Sequence, residues 1–197
     1  MTEQQPYEVI RRYPHFELRR YPDYVVAEVA VAADFDRAGN AAFRRLFNYI
    51  TGSNTAREKL AMTAPVLQAP GTPHKLAMTS PVLQTGPLPG AAEADRFVVA
   101  FVLPAGVTAD TAPVPTDPTV AVRSVPGSVA AVLRFSGRGT AAAFQRRTGD
   151  LRDALAVAGL VPVGAPRFAR FDPPFKPWFL RRNEVVQDVQ EPEPGGA

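Results

Sequence analysis

Two spacings of apolar residues take turns along this chain. From Phe16 to Val31, FELRRYPDYVVAEVAV reads as a strand, a turn marked by Pro22, and a second strand alternating around Val25, Ala27, Val29 and Val31. The period then lengthens. DFDRAGNAAFRRLFNYITGSN predicts a helix of about sixteen residues, with Asp34 as N-cap, Asp36 in the first turn and a Gly52-Ser53-Asn54 stop.

The same succession returns after a shift of 104 residues. VAVRSVPGSVAAVLRF sets Arg123 for Arg19, Pro126 for Pro22, Val129 for Val25, Ala131 for Ala27 and Leu133 for Val29. Its helix, TAAAFQRRTGDLRDALAVAG, has Thr140 as candidate cap, Phe144, Leu151 and Leu155 on one face, and Gly159 to close it. Two strand-strand-helix units predict a pseudo-twofold α+β domain in which one antiparallel sheet carries both helices.

FVVAFVLP, residues 97–104, reads as a strand buried on both faces, and RFARFDPPF and RRNEVVQDV read as short final strands. Between the first helix and that buried strand, KLAMTAPVLQ at 59–68 recurs as KLAMTSPVLQ at 75–84. Each copy is strand-like, from Leu60 to Leu67 or Leu76 to Leu83, and broken by Pro65 or Pro81; the intervening APGTPH has loop chemistry. The pair reads as a hairpin, or as a duplicated edge strand with no chemical role.

Wound at 100° per residue, the first helix gathers Phe35, Ala38, Ala42, Leu46, Tyr49 and Ile50 on a core-facing stripe. Phe43 and Phe47 fall beside it, four residues apart, with Asn40 and Arg44 next round the helix. The apolar arc is wider than one sheet requires. Either a loop covers a broad core face, or the two rings form an exposed platform edged by polar and cationic groups, suited to a flat, apolar, acidic ligand.

Composition narrows the chemistry. The 197 residues, 46% hydrophobic, suffice for one domain, expected over 1–190, with EPEPGGA at 191–197 a disordered tail. There is no Cys, hence no disulfide, thiol nucleophile or Cys-ligated metal, which suits the cytoplasm. MTEQQPYEVI lacks a leader pattern and no apolar run spans a bilayer, so a soluble chain is expected. A net charge of +3 with scattered arginines gives poor support to a nucleic-acid interface, and none is expected. The 21 prolines punctuate short extended segments.

YEVIRRYPHFELRRYPDYVVAEV, FRRLFNYITGSN, KLAMTAPV and ARFDPPFKPWFLRRNEV resemble the SOUL, or haem-binding protein, family, from about Tyr7 to Val189. The resemblance implies a distorted antiparallel β-barrel of two similar halves with two helices. It also implies reversible binding of haem or another tetrapyrrole, non-covalently, in a shallow apolar groove on the first helix. On that basis Phe43 and Phe47 are the apolar contacts and Lys176 the partner of the propionates; Asn40 and Asn48 stand where relatives carry basic residues, and Arg44 is a substitute. Where one branch of the family is described as having an axial histidine, this chain has Arg20, which does not ligate iron.

No strong axial bond and no protein-ligated metal are therefore expected. His15 and His74 read as solvated loop residues, and Met62 and Met78 as packing residues or weak ligands. Tyr7, Tyr13, Tyr21 and Trp178 read as half-buried aromatics, and Arg181, Arg182 and Glu184 as a structural ion pair or ligand contacts. The chain has no G-x-S-x-G, H-E-x-x-H, Walker or G-x-G-x-x-G pattern, so no catalytic residue is assigned; weak peroxidase activity would come from bound haem. Three functions remain: a tetrapyrrole carrier, buffer or sensor; a general module for amphipathic small molecules, like the gyrase-inhibitor-like domains; and an enzyme.

Overall fold

Alternation decides which strand faces meet the helices. The computed structural model describes residues 3–60, 63–70, 96–172 and 176–191. After β1 (Glu3–Gln4) and β2 (Glu8–Arg12), the first unit runs through β3 (Glu17–Tyr21), β4 (Tyr24–Ala32), α1 (Phe35–Ile50), β5 (Thr63–Ala64), β6 (Val66–Pro70) and β7 (Arg96–Val102). The second comprises β8 (Val120–Val125), β9 (Ser128–Ser136), α2 (Ala141–Val157), β10 (Arg167–Arg170), a 3-10 turn (Trp178–Leu180) and β11 (Arg182–Asp188).

Among the described residues nine strands form one sheet, ordered β2-β3-β9-β11-β10-β6-β7-β4-β8 and antiparallel throughout. It curls into a half-barrel with two helices, the distorted barrel expected. The units exchange their first strands: β3 pairs with β9, and β8 with β4. Arg19 lies opposite Ala130 and Arg123 opposite Val26, pairs related by the same 104-residue shift as the sequences.

Val25, Ala27 and Val29 of β4 meet α1 together with Val99 and Phe101 of β7. Val129, Ala131 and Leu133 of β9 meet α2 through Phe144, Leu151 and Leu155. The intervening positions, Val26, Ala100, Val102, Ala130 and Val132, fill the other face of the sheet. β7 is thus buried on both faces, as its unbroken apolar run requires.

Four details differ from the sequence reading. Asp34 occupies the N-cap position of α1, but its side chain caps nothing and lies 3.9 Å from Arg37; its carbonyl accepts the Arg37 and Ala38 N–H groups at 3.0 and 2.8 Å. Phe35 leaves the α1 stripe and packs in the α2 cluster, edge-on to Phe144 and Phe168 at 5.4 and 5.2 Å. β6, from the first decapeptide, is not an edge strand: it lies between β10 and β7 and joins the two halves. Glu191, assigned to the tail, pairs with Arg20 at 2.6 Å. The second decapeptide with Met78, His74 in the loop before it, and Met62 lie outside the described residues.

Charge is buried where the halves meet. Glu184 of β11 is almost fully enclosed and receives Arg19 Nη1 at 3.0 Å and Arg182 Nη2 at 2.6 Å. Arg19, equally enclosed, also holds Glu17 at 2.8 Å and lies over the Tyr7 ring. Burial pushes the Tyr21 hydroxyl beside it up to about 12, against the opposing pull of Arg19. Removing one member of such a pair leaves an uncompensated buried charge, typically about 3–5 kcal/mol. Glu184→Gln is expected to cost roughly that much in urea unfolding; a loss under about 1 kcal/mol would mean that the two guanidiniums find other acceptors or water.

Candidate ligand site

α1 packs through its smallest residues. Ala38 and Ala42 expose nothing, so the helix lies close on β4 and β7, and Leu46, Tyr49 and Ile50 complete its buried stripe. Close seating narrows the arc the sheet can cover. Phe43 and Phe47 beside the stripe stay 39% and 43% exposed. Their centroids are 5.6 Å apart with planes 14° from parallel, and Phe43 also meets the Phe101 ring at 5.5 Å. Stacked aromatic pairs gain about 0.5–1.5 kcal/mol beyond area burial, enough to order the rings against each other without covering them.

The C-terminal end of the helix is pinned. Tyr49 donates its hydroxyl to Pro113 O at 2.9 Å, and the Asn54 amide bonds Tyr49 O at 3.1 Å and Glu58 O at 2.7 Å. Thr51 Oγ1 donates to Phe47 O at 2.8 Å, and Gly52 turns the chain away at φ 118°. These bonds fix where the second ring stands.

Five of the six residues chosen from sequence lie together on α1. Asn40, Arg44 and Asn48 are exposed around the ring pair, and Arg44 has no ion-pair partner among the described residues. Lys176, the sixth, follows β10 and donates to Asp172 Oδ1 at 2.7 Å. Burial would raise the Asp172 carboxyl, but the Arg182 N–H and the Lys176 ammonium outweigh it and hold it below the usual carboxylate range.

Two residues escaped the sequence reading. Arg170 of β10 lies over the Phe35 and Phe144 rings, its centre 5.0 and 5.6 Å from their centroids, and donates to Gln68 Oε1 at 2.9 Å and Gly139 O at 2.8 Å. Gly39 faces it: a Cβ there would stand 2.9 Å from Arg170 Nη1. Gly39, Phe43 and Phe47 are spaced four apart, so Arg170 sits at the end of their row. Beyond Gly139, Arg138 lies over Trp178, 5.6 Å from the ring centroid, in a 3-10 turn that leaves Trp178, Phe179 and Leu180 all exposed. The signals were present in the chain: a glycine inside a helical pattern marks close approach, and strand alternation puts Arg170 on the same face as the packed Phe168.

The remaining candidates lie away from the ring pair. Tyr7, Tyr21 and Tyr24 border a cavity of about 20 Å³ on the other face of the sheet, room for one water. Tyr13 stacks on Phe16 at 4.3 Å, and His15 is exposed between β2 and β3. No group of three or more His, Cys, Asp or Glu side chains among the described residues could hold a metal ion. No helix among them is long and apolar enough to cross a membrane.

Comparison with known proteins gives the family and the fold. The profile of the SOUL heme-binding protein family matches residues 2–188. Heme-binding protein 1 of Xenopus tropicalis is 28% identical over 172 residues, covering 86% of this chain and 81% of that protein. The C-terminal domain of EcmrR superposes with a TM-score of 0.62 at 11% identity, over 94% of this chain and 98% of that domain. An uncharacterized conserved protein from Listeria innocua gives 0.59 at 10% identity, over 95% and 94%. At such identities these two structures share the fold and nothing more is read from them.

The two helical glycines separate by experiment. Gly149 of α2 has open space about its Cβ position. Gly149→Ala is expected to stabilise by about 0.5–1 kcal/mol, whereas Gly39→Ala should gain nothing or destabilise, because its methyl displaces Arg170. Equal gains in thermal unfolding would show that the guanidinium moves aside freely.

Proposed function

Since this chain belongs to the SOUL haem-binding protein family, we propose that it binds haem or a related tetrapyrrole reversibly in the shallow groove on α1. The observation that carries this reading is the stacked Phe43–Phe47 pair left exposed on a helix whose own stripe is already buried. The exposed pair offers apolar contact to an aromatic macrocycle, and fully burying a phenylalanine contributes roughly 1.5–3 kcal/mol. Asn40 and Asn48 offer amide bonds at its rim, and Arg44 a cation. Lys176, with one of its three N–H donors on Asp172, keeps two for an acid group.

These residues fit the macrocycle and its acid groups. Iron, where present, would supply redox chemistry. The helix itself supplies no ligand to it, since GNAAFRRLFN around the rings has neither His nor Met. Affinity then rests on apolar contact and charge, which suits a carrier, buffer or sensor that gives haem up to tighter sites in the cytoplasm.

A general receptor for amphipathic molecules would use the same platform. The face of the sheet away from the helices is less suited: Glu184, its buried acid, is already neutralised by two arginines, and the cavity beside it is one water in size. Haemin titration followed in the Soret region tests the reading. Phe47→Asp is expected to weaken uptake about tenfold or more with unchanged far-ultraviolet circular dichroism. Undiminished uptake would remove the site from α1, and competition by metal-free amphipathic aromatics as strong as haemin itself would favour the general receptor.

A further inference from the structure

Four arginines of this sheet are neutralised at close range. Arg19 meets Glu184 at 3.0 Å, Arg123 meets Glu28 at 2.8 Å, Arg167 meets Asp188 at 2.8 Å and Arg182 meets Glu184 at 2.6 Å. Arg170 departs from this pattern. Among the described residues it has no carboxylate within ion-pair distance, and its acceptors, the Gln68 amide oxygen and the Gly139 carbonyl, are neutral. The acid that acts on it, Asp36, accepts the Ala141 N–H at 3.0 Å.

A guanidinium has five N–H donors, and two are accounted for. Its surroundings are aromatic, Phe35 on one contact and Phe144 on another, so solvation is poor; burial lowers its proton affinity below the ordinary arginine value. A cation in such a place gains most from an added counter-charge, because charge-assisted bonds strengthen where water is excluded. Arg170 is nevertheless only partly buried. Gly39 and Gly139, one from each unit, bracket the group: Cβ atoms there would stand 2.9 Å from Nη1 and 3.1 Å from Nε. Gly39 also begins the row that continues as Phe43 and Phe47, one helical turn apart or about 6 Å along the axis.

We propose that Arg170, seated between Gly39 and Gly139 at the end of the phenylalanine row, is the receptor for an acid group of the ligand, so that the platform selects amphipathic aromatic carboxylates over their neutral esters. The inference rests on the α1 platform reading and adds its specificity. Lys176 is partly quenched by Asp172 and Arg44 is exposed, so neither matches Arg170 in its need for an anion.

The test uses protoporphyrin IX and its dimethyl ester, each followed by porphyrin fluorescence on the full chain. The parent is expected to bind the diacid about tenfold more tightly than the diester. Arg170→Gln should bring the diacid to the level of the diester and leave the diester within twofold. Gly39→Ala, whose methyl would displace Nη1, should reduce the same preference and serves where Arg170→Gln does not fold. Phe47→Asp should weaken both probes, the diacid somewhat more because the new carboxylate repels it. A diacid preference that survives both Arg170→Gln and Gly39→Ala, while Phe47→Asp weakens both probes, overturns the Arg170 assignment and leaves the platform standing. Indifference of both probes to Phe47→Asp overturns the platform itself.

Discussion

Neither half of this molecule can complete its own sheet. β3 of the first unit finds its partner in β9 of the second, and β8 of the second pairs with β4 of the first. A one-residue slip in either pairing would turn every apolar side chain to the wrong face. The exchanged strands therefore fix one another's register, and the buried Arg19–Glu184 pair locks the first exchange electrostatically. Everything on the helical face inherits its position from that arrangement, including the meeting of Gly39 from one unit with Arg170 and Gly139 from the other.

The exposed rings follow from the same economy of space. Alanines at 38 and 42 let α1 approach the strands closely, and a helix seated that low meets the sheet over a narrow arc. Larger residues at those positions would lift the helix and tilt its shoulder inward. Phe43 keeps an edge contact with Phe101, which orients it, and Phe47 stacks on Phe43 and is anchored through its carbonyl. The result is an apolar surface held by ring contacts but not covered, so a flat ligand would meet side chains already placed.

Periodicity made most of the scaffold readable. Val25, Ala27 and Val29 and their counterparts at 129, 131 and 133 declared both strand pairs, and Thr140 caps α2 through its side chain at 3.3 Å, as a threonine before a helix should. Failures came where a third element intervened. Phe35 is captured by an aromatic cluster on α2, and β6 is drawn between two strands distant in sequence. None of these is encoded within a window of local spacing. The platform was half legible: helical geometry placed Phe43 and Phe47 side by side, but whether a loop covered them depended on tertiary contacts. Arg170 was legible only in retrospect, as a charge on the apolar face of a strand opposite a glycine inside a helix.

The mixture of open rings and guarded charge bears on how strongly such a surface can hold a guest. Phe43 and Phe47 have already buried more than half of their area against the protein, so covering what remains adds at most about 1–2 kcal/mol from the protein side. Micromolar binding requires about 8 kcal/mol. The balance must come from the apolar face of the guest and from pairing of charge, and exposed pairs contribute little. A part-buried cation over aromatic rings, with no carboxylate in ion-pair range among the described residues, would differ, because part of its desolvation cost is met when the chain folds and its attraction for an anion would be realised only on binding. If Arg170 receives the acid group as proposed, discrimination on this surface would depend more on that group than on the extent of the ring system.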